Sequence, residues 1–320
     1  MSAPLDETTL VERLVAIGWK GSRAVLVGPG DDAAVLRGGL AISTDLMVEG
    51  VHFDFDWISP VEAGFRAGAA ALSDMAAIGA RPGALLVSMA VSGDPDVCEE
   101  LQRGLQQAGD RVAAPIVGGD VSRSPGPAVV DVVAIGRARS PVLRGGAGPG
   151  EDVWVSGQLG GAAAAVSAWS AGEQPQPAAR ERFAVPPDRV PLGVALAARN
   201  LARAMIDISD GLVVDARRVA RASGVELRLQ QALLPLDPVA GGDLKVALEG
   251  GEDYELMFTA PAGTRTRILE LGQEMAVRLT RIGSVERGDE VVLEDADGRC
   301  VDPGRGGYDH FAAADDGRAP

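Results

Sequence analysis

Residues 140–150 read SPVLRGGAGPG, a stretch dense in glycine and proline near the middle of a 320-residue chain. Such composition interrupts helices and strands, so it predicts a boundary between two domains, residues 1–140 and residues 141–320. Domains usually contain about 100–200 residues, which suits a chain of this length. Hydrophobic residues make up 46% of the chain, enough for a folded core, and this excludes a disordered protein.

Upstream of this boundary, the hydrophobic pattern changes repeatedly between helical and strand spacing. It predicts helices over residues 7–18 and 61–79, and a third helix that Asp96 caps. Strands are predicted over residues 24–27, 33–36, 40–44, 84–91, 114–117 and 128–138.

Downstream of the boundary, strands are predicted over residues 152–156, 204–208, 225–229, 254–259 and 281–285, and a hairpin over residues 290–298. Helices are predicted over residues 161–171, 194–203, 211–222 and 264–275. The prolines of residues 175–191 predict a loop with little regular structure. Because strands and helices do not alternate strictly in either half, we expect an α+β fold rather than a doubly wound sheet.

The charge balance excludes several classes of protein. The chain has 45 acidic and 30 basic residues, a formal net charge of −15, which argues against a nucleic-acid-binding surface. No apolar run approaches the ~18 residues of a membrane span, and the first ten residues lack the apolar core of a secretory signal. Cys98 and Cys300 are too few for a disulfide framework or a zinc site and are interpreted as structural. We therefore expect a cytoplasmic protein with no membrane or nucleic-acid partner.

Common phosphate-binding motifs are missing from the sequence. The only lysines are Lys20 and Lys245, and neither precedes Ser or Thr as a P-loop requires. The His-Arg-Asp sequence of protein kinases is also absent. Residues 28–33, GPGDDA, match the dinucleotide-binding pattern only weakly, because two acids would face the pyrophosphate and a strand pattern follows. An EF-hand loop starting at Asp295 would place Gly306 where a Glu is needed.

Acidic residues cluster beside Gly or Ser, at the predicted ends of apolar strands. The clusters are GDD (30–32), STD (43–45), SD (73–74), GGD (118–120), DISDG (207–211) and GED (251–253). Carboxylates gathered in one cleft repel each other unless cations bind among them, and Mg²⁺ prefers oxygen ligands and accompanies phosphates. These clusters therefore indicate a magnesium and phosphate site.

Taken singly, each of these acids is more readily explained as a turn residue or a helix cap. Asp74 and Asp207 fit that explanation less well, because they interrupt apolar sequence where an unpaired charge is costly. In residues 206–211, IDISDG, the alternation puts Asp207 and Ser209 on one strand face, and Asp210 is predicted to cap the next helix.

Eight segments form a specific pattern when they are taken together. They are GPGDDAAVL (28–36), ISTDLMVEGVHF (42–53), ALSDMAAIGARP (71–82), IVGGDVSRS (116–124), VLRGGAGPGED (142–152), IDISDGL (206–212), EGGEDYELMFT (249–259) and GGYDHF (306–311). In this combination the chain resembles the thiamine-monophosphate kinase family, which shares a superfamily with aminoimidazole ribonucleotide synthetase. Selenophosphate synthetases of that superfamily usually carry a reactive Cys or selenocysteine near the start, and this chain has no Cys before Cys98.

The resemblance implies that ATP phosphorylates thiamine monophosphate to thiamine diphosphate with the help of several Mg²⁺ ions. It implies metal ligands at Asp31, Ser43, Thr44, Asp45, Asp74, Asp120, Asp207 and Asp210. It also implies ATP contacts at Gly119, Asp120, Arg144 and Ser209, and thiamine-phosphate contacts at His52, Glu252 and Tyr308. Asp120, Asp210 and Arg144 would support a metal-assisted transfer without a covalent nucleophile.

Two further expectations concern the architecture and the chemistry. The resemblance implies a homodimer in which the N-terminal sheets join into a shared barrel, and the implied residues of both halves place the active site in the cleft between them. The acceptor phosphate has a second pKa of about 6, so direct in-line transfer needs no general base.

Other interpretations stay open at this point. The chain could be another ATP-using enzyme of the superfamily, acting on a purine precursor or in hydrogenase maturation, or a non-enzymatic protein that binds metal or nucleotide. Without the resemblance, His52 is better explained as a hydrogen-bonded residue at a strand edge and Tyr308 as surface packing. The chain departs from the family pattern at Asp188, where a second Pro is usual, and at Ala71 and Ile78, which replace a frequent Asn and Met.

Overall fold

The structure, a computed structural model, describes residues 7–304, 306, 307 and 311. Its first half contains α1 (Glu7–Gly18), β1 (Val25–Val27), β2 (Ala34–Leu36), β3 (Leu40–Val48), α2 (Pro60–Ala77), β4 (Arg81–Val91), α3 (Pro95–Arg111), β5 (Ile116–Arg123) and β6 (Val129–Arg137). The expected α+β class is confirmed, with one sheet in each half of the chain. Among the described residues, no helix is long and apolar enough to cross a membrane.

The second half contains β7 (Glu151–Ser156), α4 (Gly161–Ser170), α5 (Pro177–Ala184), α6 (Val190–Ala198), β8 (Ala204–Ile208), α7 (Leu212–Ser223), β9 (Glu226–Gln230), α8 (Leu244–Glu249), β10 (Glu255–Pro261), α9 (Arg265–Glu274), β11 (Leu279–Glu286), β12 (Val291–Glu294) and β13 (Cys300–Val301). Its seven strands lie in the order β13-β12-β9-β11-β7-β10-β8. They pair antiparallel except for β9 and β12, which are parallel. The pairing of β12 with β13 confirms the predicted hairpin.

The first sheet has six strands in the order β1-β2-β3-β6-β4-β5. Its strands pair antiparallel except for β4 and β5, which are parallel. Within the described part of one chain this sheet stays open, with β1 and β5 as its edges. The edge strand β5 is exposed along most of its length, so its outer side is available for pairing.

Helix α2 lies between the two halves and belongs to a hydrophobic core that draws residues from both. Ser59 and Glu62 begin this helix with a capping box, in which each side chain accepts a hydrogen bond from the other's backbone N–H. Small residues let α3 approach α2 closely: a Cβ added to Gly64 would lie 2.0 Å from the Leu101 carbonyl oxygen. The helix can therefore present side chains to both sheets.

Several predicted boundaries were wrong, and each error has a local cause. Residues 175–191 are not a loop, because Pro177 and Pro191 occupy the first turns of α5 and α6, where proline is favourable. Asp94, not Asp96, caps α3 by accepting a hydrogen bond from the Asp96 backbone at 3.0 Å. Strands β3 and β5 run beyond their predicted ends, since β3 stays paired with β6 as far as Val48 and β5 with β4 as far as Arg123.

Candidate functional site

Three aspartates from distant parts of the sequence converge between the two halves. Asp32 lies in the loop between β1 and β2, Asp74 near the end of α2, and Asp207 within β8. One carboxylate oxygen from each lies within 4.8 Å of the others, and we call these three residues the acidic triad. Sequence reasoning selected Asp74 and Asp207 but did not assign Asp32 as a ligand, although it follows Asp31 directly.

Strand alternation explains why Asp207 points into this space. Its neighbours Ile206 and Ile208 belong to the core of the C-terminal half, whereas Met205 belongs to the core that contains α2. Asp207 shares the face of Met205 and so faces α2. There the Ser73 hydroxyl donates a hydrogen bond of 2.7 Å to Asp207 Oδ2.

The acidic triad is not electrically balanced. Burial, and then the charge of Asp207, raise the pKa of Asp74 well above its ordinary value. Burial, and then the charge of Asp32, raise the pKa of Asp207 to about 7. The only cation that an ion pair ties to the described triad residues is Arg144, whose Nη2 lies 2.8 Å from Asp32 Oδ1. Three carboxylates facing one guanidinium leave negative charge in excess.

A divalent cation fits this arrangement. Asp32 Oδ2 is buried and has no hydrogen-bond partner, which is costly unless another group binds it. The three carboxylate oxygens are hard ligands of the kind that Mg²⁺ takes. Asp31 adjoins them, accepts a hydrogen bond of 3.2 Å from the Arg144 backbone, and has its pKa raised to about 6 by burial and by Asp32.

A cavity of about 250 Å³ opens beside the triad. It brings together five of the residues selected from the sequence: Asp45, His52, Ser209, Asp210 and Glu252. Burial, and then the charge of Glu252, raise the pKa of Asp45 to about 6. The charge of Asp45 also acts on Asp74, so Asp45 links the cavity to the triad.

Part of the cavity lining is aromatic, and we call it the aromatic wall. Trp57, Phe183 and Tyr254 line it, and Trp57 stacks on Trp169 with ring centroids 4.9 Å apart. Flat apolar faces of this kind suit a planar ring of a ligand. The cavity therefore combines acidic side chains, Glu252 among them, with aromatic ones.

Asp210 is held by a residue that sequence reasoning missed. Arg218 Nη1 lies 2.6 Å from both Asp210 Oδ2 and Asp215 Oδ1. The prediction that Asp210 caps α7 was wrong, because Gly211 is the N-cap residue and makes no side-chain cap. Asp215 is buried and accepts hydrogen bonds of 3.2 Å from the backbones of Ser209 and Asp210, so it fixes this turn instead. The only signal for Asp215 was its position on the inner face of α7.

Other predicted residues do not join the triad. Gly119 and Asp120 lie exposed on the edge strand β5, in a separate open groove between β5 and α3. Asp45 and Asp120 lie inside their strands rather than at strand ends, contrary to the pattern inferred from sequence. Tyr308 lies outside the described residues.

The hydroxyls at positions 43 and 44 point to opposite faces of β3. Ser43 is buried and donates to the Ala71 carbonyl oxygen at 3.4 Å. Thr44 is exposed and donates to Asp131 at 2.7 Å. His52 accepts a hydrogen bond of 3.0 Å from the Val48 backbone through Nδ1, which fixes its ring at the cavity.

Comparisons with known proteins agree with this geometry. Residues 30–138 match the AIR synthase related protein N-terminal domain, and residues 148–296 match the C-terminal domain. The chain is 38% identical over 288 residues to the thiamine-monophosphate kinase of Mycobacterium tuberculosis (strain CDC 1551 / Oshkosh), covering 83% of this chain and 86% of the relative. It is 35% identical over 310 residues to that of Escherichia coli O157:H7, covering 90% and 93%.

A solved structure extends the comparison to bound ligands. The structure described as AaThiL complexed with AMPPCP and TMP has a TM-score of 0.81 and 30% sequence identity to this chain. The match covers 96% of this chain and 97% of that one. The likeness therefore includes both halves and the cleft between them.

Proposed function

The chain belongs to the thiamine-monophosphate kinase family, and on that premise we propose that it transfers the γ-phosphate of ATP to thiamine monophosphate, giving thiamine diphosphate and ADP. The observation that carries the proposal is the cavity lined by both acidic and aromatic side chains, near the acidic triad. A relative with the same fold was solved with an ATP analogue and TMP together, as its description states. No feature of the described site favours a purine precursor or a hydrogenase-maturation substrate over this one.

The two kinds of side chain in the cavity match the two parts of the substrate. The aromatic side chains and Glu252 would receive the flat ring system, with Glu252 accepting from an amino group. The phosphate would then lie towards Asp45, Asp210 and the triad, where phosphoryl transfer takes place. His52 would contact the substrate from the same wall.

Several Mg²⁺ ions would be held by the carboxylates of the site. We assign Asp32 as a ligand beside the predicted set of Asp31, Ser43, Thr44, Asp45, Asp74, Asp120, Asp207 and Asp210, because it lies in the acidic triad and has a buried oxygen without a hydrogen-bond partner. When bound, the ions would neutralise the phosphates and ease their mutual repulsion. Thr44 would contribute its backbone oxygen or a reoriented side chain, since its side chain lies on the face of β3 opposite Ser43 and Asp45.

The chain itself would align the reactants for in-line transfer. The acceptor phosphate is already largely anionic at neutral pH, so no side chain must remove a proton. Arg144, held by the triad, would add a positive charge beside the transferred group. Ser209 would contact the nucleotide from the turn that Asp215 fixes.

Gly119 and Asp120 would bind ATP in an assembled homodimer. They lie on the unpaired edge of the first sheet, where Val117 and Val121 are 60% and 63% exposed. Pairing of this strand with a second copy of the chain would remove an apolar edge from water. We propose the shared barrel on this ground. We retain residues 1–140 and 141–320 as the proposed domains and the cytoplasm as the proposed location.

Direct product analysis tests the function. Purified protein with ATP, Mg²⁺ and thiamine monophosphate is expected to form thiamine diphosphate and ADP in equal amounts, measured by chromatography. Turnover should be lost when Mg²⁺ is chelated. Absence of thiamine diphosphate above the no-enzyme background would refute the proposal.

A further inference from the structure

Arg66 is a fully buried cation behind the wall of the cavity, and the reaction proposed above gives it no role. It lies on α2, about two helical turns before Asp74, in a run of alanines and other small residues. Its side chain has no exposed surface. An arginine in such a place is costly unless its charge and its donors are all used.

The Arg66 guanidinium holds three segments that meet at the cavity. Its Nη1 donates to the Phe183 carbonyl oxygen at 2.6 Å, and its Nε donates to the His52 carbonyl oxygen at 3.3 Å. Its Nη2 forms an ion pair with Glu252 Oε2. His52 belongs to the N-terminal half, whereas Phe183 and Glu252 belong to the C-terminal half.

The aromatic wall also packs on Arg66. The guanidinium carbon lies 3.8 Å from the centroid of the Phe183 ring and 5.7 Å from that of Tyr254. Both rings line the cavity, but Arg66 itself does not. Arg66 can therefore position a ligand only through these neighbours.

Glu252 needs such a support. Its φ of +66° and the φ of +49° at Tyr254 are left-handed, a conformation that costs free energy for residues other than glycine. The Glu252 backbone N–H donates to the Ser209 carbonyl oxygen at 2.7 Å, which fixes the main chain but not the carboxylate. The carboxylate is 24% exposed, so part of it faces the cavity while the rest faces Arg66.

We propose that Arg66 is a positioning residue, which fixes the Glu252 carboxylate and the aromatic wall and so sets the affinity for thiamine monophosphate. This rests on the proposed function, because it takes Glu252 as a substrate contact. Lysine could not replace Arg66, since one ammonium group cannot reach two carbonyls and a carboxylate in the fork geometry of a guanidinium. The effect should fall on substrate binding rather than on phosphoryl transfer, because Glu252 is taken as a contact to the substrate ring and not to the transferred group.

The test is Arg66→Lys, compared with Arg189→Lys as a matched control. Arg189 is a partly buried arginine that pairs with a glutamate through two nitrogens, its Nη2 lying 2.6 Å from Glu255 Oε1, but it does not line the cavity. We expect Arg66→Lys to raise KM for thiamine monophosphate by about tenfold or more. Its KM for ATP and its kcat should stay within about threefold, and Arg189→Lys should leave all three within about twofold.

A double-mutant cycle separates positioning from a general structural role. If Arg66 acts through Glu252, then Arg66→Lys should add less than about threefold to KM in a Glu252→Gln background. Independent, multiplicative effects of the two substitutions on KM would overturn the proposal. So would a parallel change of the two KM values in the single variant.

Folding and function are controlled separately. If Arg66→Lys does not fold, Arg66→Gln is measured in its place, because glutamine keeps hydrogen-bond donors without the charge. Failure of both variants to fold would assign Arg66 to folding and overturn the proposal. Wild-type turnover is measured first. Its absence would contradict the proposed function, whereas normal turnover with unchanged KM in the variant would contradict only the role of Arg66.

Discussion

Asp207 and Asp152 are both almost fully buried, at 4% and 2% exposure, but their surroundings have opposite electrostatic character. Burial opposes ionisation of Asp152, yet hydrogen bonds of 2.6–2.7 Å from Arg265 and Arg281 outweigh it and lower its pKa. Asp207 meets two other carboxylates, and its pKa rises to about 7.

The comparison separates scaffold from site. Asp152 links α9 and β11 to β7, and its charge is balanced by ion pairs with Arg265 and Arg281. Around Asp207 the fold keeps a repulsion that costs stability and that a bound cation, or protonation at low pH, would relieve. Burial alone therefore does not identify the site, whereas buried charge without an internal partner does.

The largest effect is expected for Asp207→Asn. Removing one carboxylate from the triad should lower kcat on the order of 10³-fold, since metal-supported charge stabilisation is lost. The isosteric amide keeps the contact with Ser73, and less repulsion remains, so the melting temperature without divalent cations should stay equal or rise. Steady-state kinetics and thermal unfolding check both parts. A normal kcat would remove Asp207 from the site.

A second prediction concerns pH. The pKa values of Asp207 and Asp31 are raised above 3.8, to about 7 and about 6. The native state then holds more protons than the unfolded state, so the stability these groups contribute is present at low pH and is lost as pH rises to about 7. Without divalent cations, the free energy of unfolding should fall by an amount on the order of 2 kcal/mol between pH 5 and pH 8. The melting temperature should fall with it.

Mg²⁺ should reverse much of this fall, because it binds the ionised carboxylates. Its stabilising effect should therefore be greater at pH 8 than at pH 5. The variant Asp207→Asn serves as the control and should show a flatter pH profile. A melting temperature that rises steadily from pH 5 to pH 8 in the wild type would contradict the unbalanced triad.

Sequence reasoning predicted most of the elements, because hydrophobic periodicity and glycine or proline breaks record local structure. It selected Asp74 and Asp207 because a charge inside apolar sequence needs an explanation. The same reasoning applied to Arg66, but the sequence does not show what this residue binds. Its partners lie 14 to 186 positions away, and only the tertiary fold joins them. Asp215 was missed although its partners Ser209, Asp210 and Arg218 lie within six positions of it. Asp120 was grouped with acids from which the fold of one chain separates it.

A smaller effect is expected for Asp152→Asn. Loss of its charge should lower the free energy of unfolding by about 2 kcal/mol, less than for a fully enclosed pair, because Arg265 and Arg281 are partly exposed. KM and kcat should stay within about twofold. Chemical denaturation measures the loss, and Asp297→Asn, in an exposed ion pair with Arg299, should change stability by less than about 0.5 kcal/mol. A large loss of kcat in Asp152→Asn would contradict the statement that Asp152 supports the fold but not the active site.

The smallest effect is expected at Asp188, a half-buried aspartate whose pKa is raised by burial without a neighbouring carboxylate cluster. Asp188 Oδ1 accepts a hydrogen bond of 2.9 Å from the Val190 backbone at the start of α6. Asp188→Ala should therefore lower the free energy of unfolding by about 1 kcal/mol, and Asp188→Asn, which keeps an acceptor, by less. Both variants should keep normal kcat and KM, because a raised pKa at an isolated carboxyl gathers no excess charge for a cation. Loss of turnover in Asp188→Asn would show that a raised pKa by itself marks this active site, and the contrast between Asp207 and Asp152 would then need another cause.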